Sequence, residues 1–108
     1  PNMVDEIRAD EAHRLIETGK VQLLDCRYDM EYEDSRIPGA QLIPLHELRL
    51  KVSELNPDTD YIVYCRSGRR SKAAAFLLHE RNFSVKSLAG GIKDWSYEID
   101  SEPVDSLG

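Results

Sequence analysis

The chain has 108 residues, 41% hydrophobic and 31% charged, with 14 Lys and Arg against 20 Asp and Glu and a formal net charge of -6. That length suits one folded domain with its own core, and no apolar run approaches the ~20 residues of a membrane-spanning helix. The acidic balance argues against nucleic-acid binding, which needs a basic face to displace counterions from phosphates.

Ile7 to Ile16 reads as a short strand leading into a helix, with Ala12, Leu15 and Ile16 on one face, Asp10 and Glu11 in the first turn and Gly19 closing the end. Val21 to Cys26 is an apolar run of strand length. The acidic stretch Asp29 to Asp34 reads as a short helix, and Ile37-Pro38-Gly39-Ala40 forces a turn. Leu42 and Ile43 suggest a further strand. Leu48, Val52 and Leu55 place a helix over Leu45 to Leu55, which Asn56-Pro57-Asp58 ends. Tyr61 to Tyr64 reads as a core strand, and Lys72 to Glu80, with Ala74, Leu77 and Leu78, as an amphipathic helix. Ser84 to Leu88 is the last strand, Gly90-Gly91 a turn, and Ile92 to Ile99 a final helix whose packed face holds Ile92, Trp95 and Ile99. From Asp100 onward an acidic, loose tail is expected.

This alternation predicts an α/β fold with a mostly parallel central sheet of about five strands, flanked by helices on both faces. One domain is expected over 1–108, its folded core ending near residue 100. Pro1-Asn2-Met3-Val4-Asp5 has no signal-peptide character, so a cytoplasmic location is expected. In that reducing setting Cys26 and Cys65 should both be free. His13, His46 and His79 are scattered and no metal-ligand spacing occurs, so no metal and no cofactor are predicted.

Chemistry concentrates in Cys65-Arg66-Ser67-Gly68-Arg69-Arg70-Ser71. From Cys65 to Lys72 there are four cations and no acid, against ten cations and 20 acids elsewhere, an arrangement that draws a small anion to one place. Cys65 lies where a strand ends and a helix begins, the carboxyl end of a sheet strand where ligands of such folds bind. Inward-pointing amides of the turn and the free N-H groups of the first helical turn favour negative charge there. A thiol in that setting titrates one to several units below the ordinary ~8.5, which makes Cys65 a nucleophile. Gly68 is expected in a backbone conformation that a β-carbon would oppose.

Four segments, in order, resemble the rhodanese family of sulfurtransferases across nearly the whole chain. Leu23-Leu24-Asp25-Cys26-Arg27 is similar to its Asp-x-Arg strand, Arg36-Ile37-Pro38-Gly39-Ala40 to its Gly-His-Ile-Pro-Gly-Ala turn, Cys65 to Ser71 to its catalytic loop, and Leu88 to Trp95 to its closing Gly-Gly-x-x-x-Trp. The resemblance implies that the Cys65 thiolate takes the outer sulfur of a small anionic donor such as thiosulfate and carries it as a persulfide to cyanide or a thiol. Arg66, Ser67, Gly68, Arg69, Arg70 and Ser71 would then bind the substrate, the arginine forks neutralising its oxygens. The family loop draws Arg70 back toward the loop backbone as a brace and leaves Arg66 and Arg69 nearer the mouth. Asp25 and Arg27 are read as supporting the pocket wall, as a structural salt bridge ahead of a functional pair.

The departures are Ser35-Arg36 for the usual Gly-His, and Cys26 for an aliphatic residue between Asp25 and Arg27. Cys26 is read as a small buried hydrophobe ahead of a resolving thiol. Cysteine-dependent phosphatases of related fold place arginine six residues after the cysteine and histidine before it, where this chain has Ser71 and Tyr64. The shorter loop suits a sulfur atom better than a phosphoryl group, which leaves phosphatase chemistry and arsenate reduction as lesser alternatives. Ser67 lacks a nucleophile elbow, which excludes a serine hydrolase. Ile43 to Leu48 and Gly90 to Asp100 are similar to the C-terminal rhodanese domains of adenylyltransferases acting on ubiquitin-like sulfur carriers, which implies the alternative of a relay or docking domain for such a carrier.

Overall fold

Strand-forming and amphipathic runs alternate along the chain, and the computed structural model, which describes residues 4–101, converts that alternation into a parallel sheet between two layers. The elements are β1 (Glu6–Ile7), α1 (Ala9–Glu17), β2 (Val21–Asp25), α2 (Asp29–Asp34), β3 (Ser35–Arg36), β4 (Gln41–Leu42), α3 (Leu45–Lys51), β5 (Asp60–Tyr64), α4 (Arg69–Glu80), β6 (Ser84–Leu88) and β7 (Asp100–Ser101). The five-stranded sheet runs in the order β1-β6-β5-β2-β4, and every neighbouring pair is parallel. A parallel strand covered on both faces reads as an unbroken apolar run rather than an alternation, which is the character of Tyr61-Ile62-Val63-Tyr64.

The side chains of β5 divide between the layers. Tyr61, Val63 and, one residue past the strand, Cys65 join Leu24, Leu48, Ala74, Ala75 and Leu78 beneath α3 and α4, while Ile62 and Tyr64 join Ala12, Leu23, Ile37, Leu88 and Trp95 on the α1 side. Each fully buried Leu or Ile contributes ~1.5–3 kcal/mol, so the two layers pin the central strands from above and below. The sites at their carboxyl ends inherit that rigidity.

Four expectations need correction. Helix α4 starts at Arg69 rather than Lys72, because Gly68, at φ 106°, turns the chain so that Arg69 to Ser71 already form its first turn. Helix α3 stops at Lys51 and tightens into a 3-10 turn over Val52–Glu54 before Leu55 extends. The final helix is absent: only Ile92–Asp94 form a 3-10 turn, and Trp95 is extended. Eight residues nucleate a helix poorly unless packing fixes one face. Here the aromatic rings find a better arrangement, with Tyr97 stacked on His13 at 3.9 Å and Trp95 edge-on to Tyr97 at 5.1 Å. Trp95 and Ile92 still pack against the core, but Ile99 is exposed. Asp100 and Ser101 do not begin a loose tail; they form β7, antiparallel to β3. The remainder of the expected tail, 102–108, lies outside the described residues.

Candidate active site

Strands β2 and β5 are adjacent in register, with Asp25 opposite Tyr64, and the Cys26 amide donates to the Tyr64 carbonyl at 3.0 Å. Cys26 and Cys65 therefore leave the carboxyl edge of the sheet side by side. Both are buried free thiols in the same cluster of the α3 and α4 layer.

Beyond Cys65 the chain folds around the sulfur. The Gly68 amide donates to Cys65 Sγ at 3.1 Å, the Ser71 amide donates at 3.3 Å, and the Ser71 hydroxyl lies 3.5 Å away. That hydroxyl is itself fixed 2.8 Å from the hydroxyl of Ser87 on β6. The Cys26 thiol, the Ser71 hydroxyl and the two amides together pull the Cys65 thiol from an ordinary 9.0 down to about 4, against the opposing effect of burial. Cys26 moves the other way: coupled to the neighbouring Cys65 thiolate, and being buried, it is pushed far above the ordinary thiol range. The anion is localised on Cys65.

The Gly90-Gly91 turn clamps the loop from outside. Ile92 N-H donates to the Cys65 carbonyl and Lys93 N-H to the Arg66 carbonyl, both at 2.9 Å. Gly91, at φ 61°, lies so close that a β-carbon would collide with those two carbonyls. Of the loop residues named from sequence, Gly68 and Ser71 touch the sulfur, while Arg66, Ser67 and Arg69 are exposed. Arg70 does not brace the loop backbone. Its guanidinium forks onto the Glu31 carboxylate at 2.7 and 3.0 Å and lies over the Tyr28 ring, because the first turn of α4 points it across to α2. Arg70 holds the Glu31 carboxyl down to about 2. The fourth cation, Lys72, faces Glu6 at 3.4 Å.

Asp25 and Arg27 lie on the other side of β2. The Asp25 carboxylate receives the Arg27 guanidinium at 2.7 Å and the Arg27 amide at 2.9 Å, and the same guanidinium donates to the Ser35 carbonyl at 2.6 Å. Both residues are buried, and the pair ties the end of β2 to β3.

A cavity of about 260 Å³ opens beside Cys26, lined by that residue with Tyr28, Leu45, His46 and Arg70. It shares Leu45 and His46 with a larger groove of about 750 Å³ between α3 and α4. Cys65 itself is only 1% exposed and is not among the residues that line this cavity. Glu31, Tyr28, Leu45 and His46 were not legible from the sequence as parts of the site. The acidic helix after β2, opposite a basic loop after its neighbour β5, was the signal available for Glu31. Among the described residues no group of three or more His, Cys, Asp or Glu side chains could hold a metal ion, and no helix is long and apolar enough to cross a membrane.

A thiol carried on a parallel strand into a loop-to-helix anion cradle is matched by sequence as well: the profile of the Rhodanese-like domain family covers residues 8–98. The chain belongs to the rhodanese-like family of sulfurtransferases. A sulfurtransferase of Allochromatium vinosum is 38% identical over 96 residues, spanning 87% of this chain and 90% of the relative. A thiosulfate sulfurtransferase, PspE of Escherichia coli, is 34% identical over 73 residues, 66% of this chain and 70% of its own length. The crystal structure of a rhodanese-related protein from Thermoplasma volcanium superposes with a TM-score of 0.85 at 31% identity, covering 91% of this domain and 99% of that chain. Other relatives are longer, and the rhodanese-like domain spans only 42% of a putative sulfur carrier protein, YrkF of Bacillus subtilis.

Proposed function

We propose that the domain moves sulfane sulfur from thiosulfate, or a similar small anionic donor, to a thiophilic acceptor through a persulfide on Cys65. The observation that carries this reading is the pair of amides, from Gly68 and Ser71, directed at a sulfur held near 4. The thiolate attacks the outer sulfur of thiosulfate, the S-S bond of the donor breaks, and its electron pair departs with sulfite. The charge then rests on the new outer sulfur. Preformed amides stabilise such an anion without reorganising, and the exposed Arg66 and Arg69 attract the donor and its leaving group. Cyanide or a thiol removes the outer sulfur and returns the thiolate. A thiosulfate sulfurtransferase among the relatives supports this donor class.

Phosphatase chemistry is disfavoured by the same geometry. Its signature arginine position is Ser71, and Arg70, one residue earlier, is engaged by Glu31.

Transfer to the C-terminus of a protein carrier is the second reading. It is supported by the exposed Tyr28 and Met30 on α2 and the approach to it, and by the continuity of the small cavity with the long groove through Leu45 and His46. Incubation with thiosulfate should add ~32 Da at Cys65, and Cys65→Ser should abolish both that adduct and thiocyanate formation. Cys65-dependent hydrolysis of p-nitrophenyl phosphate without thiocyanate production would overturn the assignment. Faster discharge by a thiocarboxylate-forming carrier than by cyanide would select the relay.

A further inference from the structure

We propose that Cys26 is a resolving thiol, which discharges the Cys65 persulfide internally by forming a Cys26–Cys65 disulfide and releasing sulfide. This rests on the reading that Cys65 carries sulfur. The two residues come directly after the register pair Asp25 and Tyr64 on neighbouring parallel strands, and the Cys26 amide bonds across to Tyr64. Paired strands lie ~4.7–4.9 Å apart, inside the ~4.4–6.8 Å that separates the α-carbons of disulfides. Both side chains emerge on the same face of the sheet, into one buried cluster. No movement of the strands is needed to join them.

The step balances without an outside oxidant. The Cys26 thiol first gives its proton to the anionic outer sulfur, and the Cys26 thiolate so formed attacks Cys65 Sγ. The bond from Sγ to the outer sulfur breaks, and its electron pair leaves with that sulfur as hydrosulfide. Cys26 is oxidised and the departing sulfur is reduced. A dithiol reductant must then reopen the disulfide by exchange. Because Cys26 lines the cavity together with Arg70, the hydrosulfide forms beside an opening and a cation. The donor's sulfur would thus have two exits, one to an external thiophile and one as sulfide with reducing equivalents from a dithiol.

The test tracks the fate of the loaded protein. Wild type, Cys26→Ser and Cys26→Ala are loaded with thiosulfate, desalted and monitored by intact mass without added acceptor. The wild type should pass from a gain of ~32 Da to a loss of ~2 Da relative to the reduced chain, with one sulfide released per chain and a Cys26–Cys65 cross-linked peptide after digestion. Both variants, checked for native folding by circular dichroism, should keep the added sulfur over the same interval. Equal persistence in all three proteins, or equal sulfide release from the variants, would overturn the inference. Failure of thiosulfate to load any of the three would sink the donor reading alone. Polysulfide then loads Cys65 chemically, and the same comparison of wild type with variants decides the role of Cys26.

Discussion

Cys26 and Cys65 occupy equivalent places, one residue past the paired ends of β2 and β5, yet they hold opposite proton states. Burial is common to both and cannot explain the difference. The backbone downstream of each cysteine does. After Cys65, a glycine in the left-handed region and the opening turn of α4 aim two amides at the sulfur. After Cys26, the next amide, from Arg27, is taken by the Asp25 carboxylate, and the Cys26 carbonyl is taken by Leu45. The same residue on the same kind of strand becomes an anion or stays a neutral thiol according to where a few neighbouring N-H groups point.

The comparison breaks most sharply through the outer clamp. Gly91→Ala should lower stability by ~3 kcal/mol, read from the urea midpoint, since its backbone conformation is essentially reserved for glycine and its β-carbon meets the Cys65 and Arg66 carbonyls. Any folded fraction should show the thiolate midpoint displaced upward; an unchanged midpoint would mean that the clamp does not position the amides.

A pH titration of iodoacetamide alkylation sharpens the contrast with no mutation. One thiol should react with a midpoint near 4 and map to Cys65, while Cys26 stays inert well above the ordinary 9.0. The sign for stability comes from the depressed value. The Cys65 anion contributes fully above 9.0, the contribution shrinks as pH falls, and it is gone below about 4. Two thiols titrating together near 9 would erase the distinction.

The smallest effect is expected at the cavity wall. Glu31→Gln should cost ~1 kcal/mol or less at neutral pH, because the pair with Arg70 is partly exposed to solvent. Glu31 is held at about 2 against an ordinary 4.5, so its contribution is whole above 4.5 and vanishes as pH falls through about 2. The wild-type advantage in chemical denaturation should therefore disappear in strong acid. An advantage that grew there would contradict the pairing.

Local pattern carried most of the fold. Apolar runs marked β2, β5 and β6, and the glycine after Ser67 marked the turn into α4, because burial on both faces and left-handed backbone leave direct traces in residue type. The segment after Gly91 misled for a physical reason. Its apolar spacing fits a helix, but the aromatic stack on His13 and the pairing of β7 with β3 depend on residues some 65 to 85 positions away. The candidate site divides in the same manner. Cys65, Gly68 and Ser71 belong to one contiguous stretch and could be named together. The coupling of Cys26 to Cys65 and the fork of Arg70 on Glu31 span 39 positions each, and strand order, not sequence neighbourhood, creates them.

The short β3–β7 ladder joins Asp100 and Ser101 to Arg36 and Ser35, and Ser35 offers its carbonyl to the Arg27 guanidinium that grips Asp25. Tension on the polypeptide beyond Ser101 would accordingly pass through that ladder into β2 rather than merely peel away a loose end. The exit of the chain is mechanically coupled to the strand that presents the second thiol.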